Sequence, residues 1–440
     1  MTPPTGAGKR IVLATFGSLG DLHPYLAIAD ALRARGHRPL LAATDVHRAA
    51  VEAQGIEFRP LAPGLAAFGD ERQAMERVLD PVAGPEFVIR EVLMGHLREA
   101  HDDLDAACQG AHLLVSHPFT FAAPLVAERR RGTGLAWASV AISPSALPSA
   151  HDPPVLAPAP WLRHLRPLGP AFHRLLLHAV RARTRGWMTP WHQLRRQLGL
   201  PPVDVHPLFE AQCSPDLVLA LFPALFAAPQ PDWPAQTVVT GFVAGWRRDE
   251  AQALDPALAA FVEAGDAPLV FTLGSAAVKG AGDFYTQSVE AARRLGMRAV
   301  MLVGSDPRNR TRLAASPQVA LAEYVPYPLV FPRAAAIVHQ GGIGTTAQAL
   351  LAGRPMLVVP FGFDQPDNAA RAERLGVARV LPRRRNEAGR AAQALRALLD
   401  DPSYGRRARE LAPRIAAGDG VVGACDAIER LLRARAAGGG

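Results

Sequence analysis

Short apolar runs, each followed by a glycine-bearing turn and then an amphipathic stretch, recur along this chain in two series. The first run, Ile11-Val12-Leu13-Ala14-Thr15-Phe16, leads into Gly17-Ser18-Leu19-Gly20-Asp21. A strand without a polar face must be covered on both sides, the condition of a central strand in a parallel sheet. The spacing then predicts a helix over about 24–35, with Pro24 in its first turn, Leu26, Ala29 and Leu32 on one face, and Gly36 closing it. A strand at 39–43 and a helix at 46–54 complete a βαβα unit. Further strands are expected at 113–116, 135–142 and 217–222.

The second series has strands at 269–273, 299–303, 319–322, 336–339 and 356–359. Its helices fall at about 283–295, 345–352, 368–375 and 388–399. The expectation is an α/β chain of two Rossmann-like domains: 10–228, a linker at 229–246 rich in Pro and Ala, 247–420, and a C-terminal helix and tail at 421–440. Chain length agrees, since 440 residues exceed one typical domain. Two such sheets facing each other form a cleft at their strand C-termini, where ligands bind. The loops after Phe16, Leu273, Val338 and Val359 would all open on it.

Composition narrows the function classes. Hydrophobic residues make up 49% and charged residues 20%, so the chain is not disordered. The net charge of +8 suits an anionic substrate or an anionic surface. Nucleic acid is not expected, because the basic residues are scattered and aromatics are only 6%. Cys108, Cys213 and Cys425 are too far apart for a disulfide framework or a metal site. No apolar run reaches the roughly 18–20 residues that span a bilayer. A cytoplasmic protein, with peripheral contact to the inner face of the membrane, is the expectation.

The segment His339-Gln340-Gly341-Gly342-Ile343-Gly344-Thr345-Thr346 carries the most chemistry. A buried strand, a glycine turn and a helix opening on two hydroxyls would present backbone N–H groups and a helix N-terminus to a phosphate. The turn has neither the GxGxxG spacing nor a GKS/GKT ending, which argues against a dinucleotide dehydrogenase and a P-loop ATPase. Either His339 or Gln340 could meet the phosphate. Asp364 and Gln365, after the strand at 356–359, suit sugar hydroxyls, which both donate and accept. Gly274 and Ser275 are further candidates for donor contact, as is Ser18. Tyr324 and Val325, followed by Pro326, offer flat faces for a base. Across the cleft, Asp21 and His23 are candidate general bases for an attacking hydroxyl. Phe119, Trp161 and Trp187 are expected on the acceptor side. No metal and no cofactor beyond a nucleotide sugar are implied, since the histidines lack HExxH spacing and no DxD-like triplet falls in a suitable loop.

These motifs resemble those of the inverting glycosyltransferases with two Rossmann-like domains, the GT-B fold of family 1. Gly17-Ser18-Leu19-Gly20-Asp21-Leu22-His23-Pro24 is similar to their acceptor-side motif, and the resemblance makes Asp21 the base and demotes His23. Gly341 to Thr346 resembles the phosphate-binding part of the donor signature, Asp364-Gln365 the pair at the sugar hydroxyls, and Tyr324-Val325-Pro326 the base platform. The chain departs from the pattern at Gln340, where many relatives have histidine, and at Gln348, where many have a ribose-binding glutamate. Residues 142–151, 221–224 and 280–285 resemble the rhamnosyltransferases of rhamnolipid synthesis, which implies dTDP-rhamnose as donor and a lipid hydroxyl as acceptor. A nucleotide-sugar epimerase or hydrolase, and a non-catalytic nucleotide-sugar binder, are the competing readings.

Overall fold

The structure, a computed structural model, describes residues 8–69, 71–243 and 253–437. Two parallel sheets organise it. In the first, β1 (Arg10–Ala14), β2 (Arg38–Ala43), β3 (Glu57–Pro60), β4 (Leu113–Ser116), β5 (Ala136–Ala141), β6 (Leu217–Ala220) and β7 (Thr237–Val239) lie in the order 3-2-1-4-5-6-7. In the second, β8 (Leu269–Thr272), β9 (Ala299–Leu302), β10 (Val319–Ala322), β11 (Ala336–His339), β12 (Met356–Val358) and β13 (Ala378–Val380) follow the order 10-9-8-11-12-13. This is the two-domain α/β architecture that the paired series of strands implied.

Each sheet has one place where the strand order reverses, between β1 and β4 and between β8 and β11. Connections there leave towards opposite faces, which opens a crevice at the strand C-termini. The turns after β1 and β11 carry Asp21 and the glycine segment, so both motifs stand at switch points. Apolar side chains cover both faces of each sheet. The last helix, Gly420–Ala437, returns to the first domain, where Ala424, Cys425, Ile428 and Leu432 join the cluster of Leu22, Leu26 and Leu32.

Four features depart from the sequence expectation. The first helix starts at Leu19, not near Pro24, because Ser18 caps it, and Pro24 lies inside the helix. β7 occupies residues read as linker: they pair with β6 as an edge strand, while 244–246 of that linker, 247–252 of the following domain and the tail at 438–440 lie outside the described residues. β3 and β13 are short and partly exposed, so neither shows an apolar run. The helix Pro402–Ala416 was also absent from the reading. Its two prolines mask it, although Pro402 sits in the first turn and Pro413 near the end.

Candidate active site

The first-domain half of the site is built on the turn after β1. Asp21 lies in the first turn of helix Leu19–Ala34, and its Oδ2 accepts from the Ser18 N–H (2.7 Å) and the Ser18 hydroxyl (3.1 Å). Ser18 Oγ in turn accepts from the Gly20 N–H (3.1 Å). Ser18, expected at the donor, therefore spends its hydroxyl on the cap. A side chain at Gly17 would strike the Asp21 carboxylate, and φ there is +127°, so only glycine serves. Capping and chemistry are not alternatives for Asp21. One oxygen is held by the cap; the other, Oδ1, lies 3.4 Å from Nε2 of His117.

His117, which the sequence reading did not single out, stands next to Asp21 in the candidate site. It follows β4 directly, and β4 is the neighbour of β1. The Phe119 N–H donates to its Nδ1 (3.1 Å), which leaves the proton of the neutral ring on Nε2, facing Asp21. The His117 side chain is 5% exposed and that of Asp21 33%, so the carboxylate is the accessible member. His23, the second candidate base, is half-buried two residues further along the helix.

An apolar pocket adjoins this pair, walled by Phe16, Leu61, Leu93, Leu97, Phe119 and Phe121. Phe119 thus lines this pocket, which is narrow, with a volume of about 10 Å³. Trp187 packs against the same apolar cluster. Trp161 does not: it is 61% exposed on a short helix, Pro160–Leu168, that buries none of its side chains.

The second-domain half surrounds the glycine turn. Helix Ile343–Leu351 begins at Gly342 without a side-chain cap. Its first-turn amides have no helical acceptor and are available to an anion. Gly344 is exposed there. The threonine hydroxyls serve the fold instead. Thr346 donates to the Gly342 carbonyl (3.0 Å), and Thr345 bonds the half-buried Tyr327, whose hydroxyl also meets Thr272 (3.1 Å).

His339 packs inside the fold. It is fully buried, its Nδ1 accepts from the Gly341 N–H (3.0 Å), and burial pushes its pKa down to about 3. Gln340 takes the place towards the cleft. Its amide lies against Gly274 and Gly342, and its Oε1 has no partner among the described residues. Gly274 has φ +62°, and a side chain there would collide with that amide. Ser275 follows, half-buried, and Tyr324 is 61% exposed beside the buried Val325.

Asn368, also missed from sequence, joins the turn to the sugar-side pair. Its Nδ2 donates to the Gly341 carbonyl (3.0 Å) and to Asp364 Oδ2 (2.7 Å). Gln365 Oε1 accepts from the N–H groups of Phe361 (2.8 Å) and Gly362 (3.2 Å), which fixes the loop and leaves its amide nitrogen for a ligand. Phe363, between them, has φ +53°, a left-handed conformation that a bulky residue adopts only where its surroundings enforce it. Its ring packs against the first domain's apolar cluster. Burial raises the Asp364 pKa to about 7, the Asn368 bond opposes this, and the charge of Asp21 adds to the rise. The two carboxylates therefore sense each other across the cleft.

A buried ion cluster holds the domains together behind this pair. Asp367 accepts from the Val155 N–H (3.0 Å) and from Arg371 Nε (2.8 Å), while Arg371 also pairs with Asp152, as does Arg166. Burial would push the Asp152 carboxyl up, but Arg371, with Arg166 and Arg374, holds it below its ordinary value. Among the described residues, no group of three or more His, Cys, Asp or Glu side chains could hold a metal ion.

Known proteins share this architecture and sequence. Residues 11–125 match the Glycosyltransferase family 28 N-terminal domain, and residues 293–422 match the C-terminal domain of the Erythromycin biosynthesis protein CIII-like family. The chain is 32% identical over 446 residues to O-mycaminosyltylonolide 6-deoxyallosyltransferase of Streptomyces fradiae, covering 97% of this chain and 98% of that one. Among solved structures, the glycotransferase of kitacinnamycin aligns with a TM-score of 0.71 at 23% identity, over 96% of this chain and 99% of that chain. The spinosyn rhamnosyltransferase SpnG complexed with thymidine diphosphate aligns with a TM-score of 0.60 at 19% identity, over 94% and 98%.

Proposed function

Because the chain belongs to the GT-B glycosyltransferases of family 1, we propose that it moves a hexosyl group from a nucleoside-diphosphate sugar to a hydroxyl of a lipid or other hydrophobic small molecule, with inversion. Rhamnose carried on dTDP is the donor we favour, with UDP as the alternative nucleotide. The reading rests on residues 142–151, 221–224 and 280–285. The observation that carries the transfer reading is that Asp21, set against His117 next to an apolar pocket, and the glycine turn before helix Ile343–Leu351 each follow a strand at the switch point of its sheet. A group suited to deprotonating an acceptor and a turn suited to binding a diphosphate thus both stand at strand ends where ligands bind.

In the proposed mechanism the acceptor lies along Phe119 with its hydroxyl at Asp21. Asp21 takes the proton as the oxygen attacks the anomeric carbon, and the bond from that carbon to the diphosphate oxygen breaks. His117, with Nε2 3.4 Å from Oδ1, holds the carboxylate in place. The first-turn amides of helix Ile343–Leu351, with the Gln340 amide, receive the negative charge that grows on the diphosphate. Backbone dipoles suffice for this, so the reaction is proposed to need neither a metal nor a further cofactor. Asp364 and Gln365 orient the sugar through its hydroxyls. A cytoplasmic location with peripheral membrane contact belongs to the same proposal.

Incubation with dTDP-rhamnose, UDP-glucose and a panel of hydroxylated lipids and polyketides, read by mass spectrometry, tests it. The expected product is an acceptor heavier by one hexosyl residue, with inverted anomeric configuration. Consumption of the nucleotide sugar without any acceptor would indicate an epimerase or hydrolase. Binding without turnover across the panel would indicate a binding protein.

A further inference from the structure

The helix Gly169–Thr184, with Leu168 as its N-cap, turns an apolar stripe to solvent. Leu168, Ala171, Leu175, Ala179 and Ala182 are spaced three, four, four and three residues apart, and every one is exposed. That spacing keeps them on a single side. Leu168 is 56% and Leu175 69% exposed. The packed side is the opposite one. His173 and Thr184 are buried, and His173 and Leu176 face Ala370 and Arg374 across a cavity of about 240 Å³. A surface helix ordinarily places its apolar stripe inward and its charges outward, and here the outward side is apolar.

The charges beside the stripe have one sign. From Pro153 to Val203 the chain contains eight arginines and no aspartate or glutamate. Arg181 and Arg185 reach Glu210 and Asp204 on neighbouring segments, and Arg163 and Arg166 reach Glu373 and Asp152. Arg174 and Arg183, both exposed on the helix itself, have no acidic partner among the described residues. No described helix is long and apolar enough to cross a membrane. An apolar stripe edged by arginine, on a helix that cannot span, is suited to lying in the headgroup layer of an anionic bilayer. Charge complementarity thus selects the occupant.

We infer that the outer side of residues 168–183 docks this protein onto an anionic lipid surface. The helix continues directly into Trp187, which packs against the cluster that walls the acceptor pocket, so docking would bring the pocket to the bilayer. The docking inference rests on the surface alone and not on the transfer reading.

Co-sedimentation of the full chain with vesicles tests it, using phosphatidylcholine alone and phosphatidylcholine mixed with phosphatidylglycerol. The parent should bind the mixed vesicles and not the neutral ones, and salt should weaken the binding. Leu168→Ser with Leu175→Ser, and separately Arg174→Gln with Arg183→Gln, should each reduce binding roughly tenfold or more, with melting temperatures unchanged. No binding of the parent to mixed vesicles would overturn the inference. So would undiminished binding by both double variants, or a parent dimer that the leucine changes dissociate, because a second copy would then be the occupant. Vesicle binding by a protein inactive in the transfer assay would leave the inference standing and remove only the transfer reading.

Discussion

Asp364 carries a cost that pH should expose. Its pKa, 3.8 for an ordinary aspartate, is raised to about 7 by burial, with Asp21 adding to the rise. A carboxyl with a raised folded pKa keeps in the folded chain a proton that the unfolded chain has lost. Its contribution to stability is therefore fully present below about pH 4 and is lost as pH climbs through about 7. The interval from 3.8 to about 7 corresponds to about 4 kcal/mol at full effect. Partial contact of the residue with solvent reduces the expected cost in solution to about 2 kcal/mol. Asp364→Asn removes the titration and still offers an oxygen to Asn368. Its melting temperature should exceed the parent's by about 4–8 °C at pH 8.5, as expected for a domain of this size. The gap should narrow steadily towards pH 5. Scanning calorimetry of both proteins across that range measures the difference and cancels the titration of all other groups. A gap that is absent at pH 8.5, or that widens as pH falls, would refute the placement of Asp364 in a buried site near a second carboxylate.

Three other outcomes follow from the same geometry. His117→Ala should lower kcat on the order of 10²-fold with donor KM little changed, because His117 positions Asp21 without touching the donor; steady-state kinetics with each substrate varied will tell. Gly274→Ala should cost about 1–2 kcal/mol for its left-handed backbone and raise donor KM through the displaced Gln340 amide, leaving acceptor KM alone. Arg371→Met leaves Asp152 and Asp367 buried without their shared cation, so thermal unfolding should show a loss of about 3–5 kcal/mol, whereas a change of less than about 1 kcal/mol would show that the cluster is not a structural joint.

What was legible in the sequence was local. The runs at 11–16 and 336–339 are apolar throughout because their strands are covered on both faces, and the glycine turns follow them without interruption. Asp21, Gln340 and Asp364 stood out as candidates because each sits just past such a run. His117 obeys the same rule, one residue beyond β4, but its importance depends on β4 lying beside β1, a pairing of segments about 100 residues apart. Asn368 bonds the glycine turn, a contact between segments that local pattern does not reveal. Asp152, Asp367 and Arg371 come together only when the domains meet, and nothing in the spacing of 152 and 371 announces it. His339 and Gln340 were equal candidates for the phosphate by residue type, and the burial of His339 as the last residue of a central strand was not visible in that choice.

The central claim is a transfer reaction with Asp21 as base, and Asp21→Asn tests it most directly. Asparagine caps a helix well, so the fold should persist. With the acceptor found in the product screen, kcat should fall by about 10²–10⁴-fold, while the dissociation constant for the nucleotide sugar, measured by calorimetry on the same preparation, stays within about threefold of the parent's, a difference of less than roughly 0.7 kcal/mol. A folded Asp21→Asn protein that transfers at the parent's rate would contradict the account.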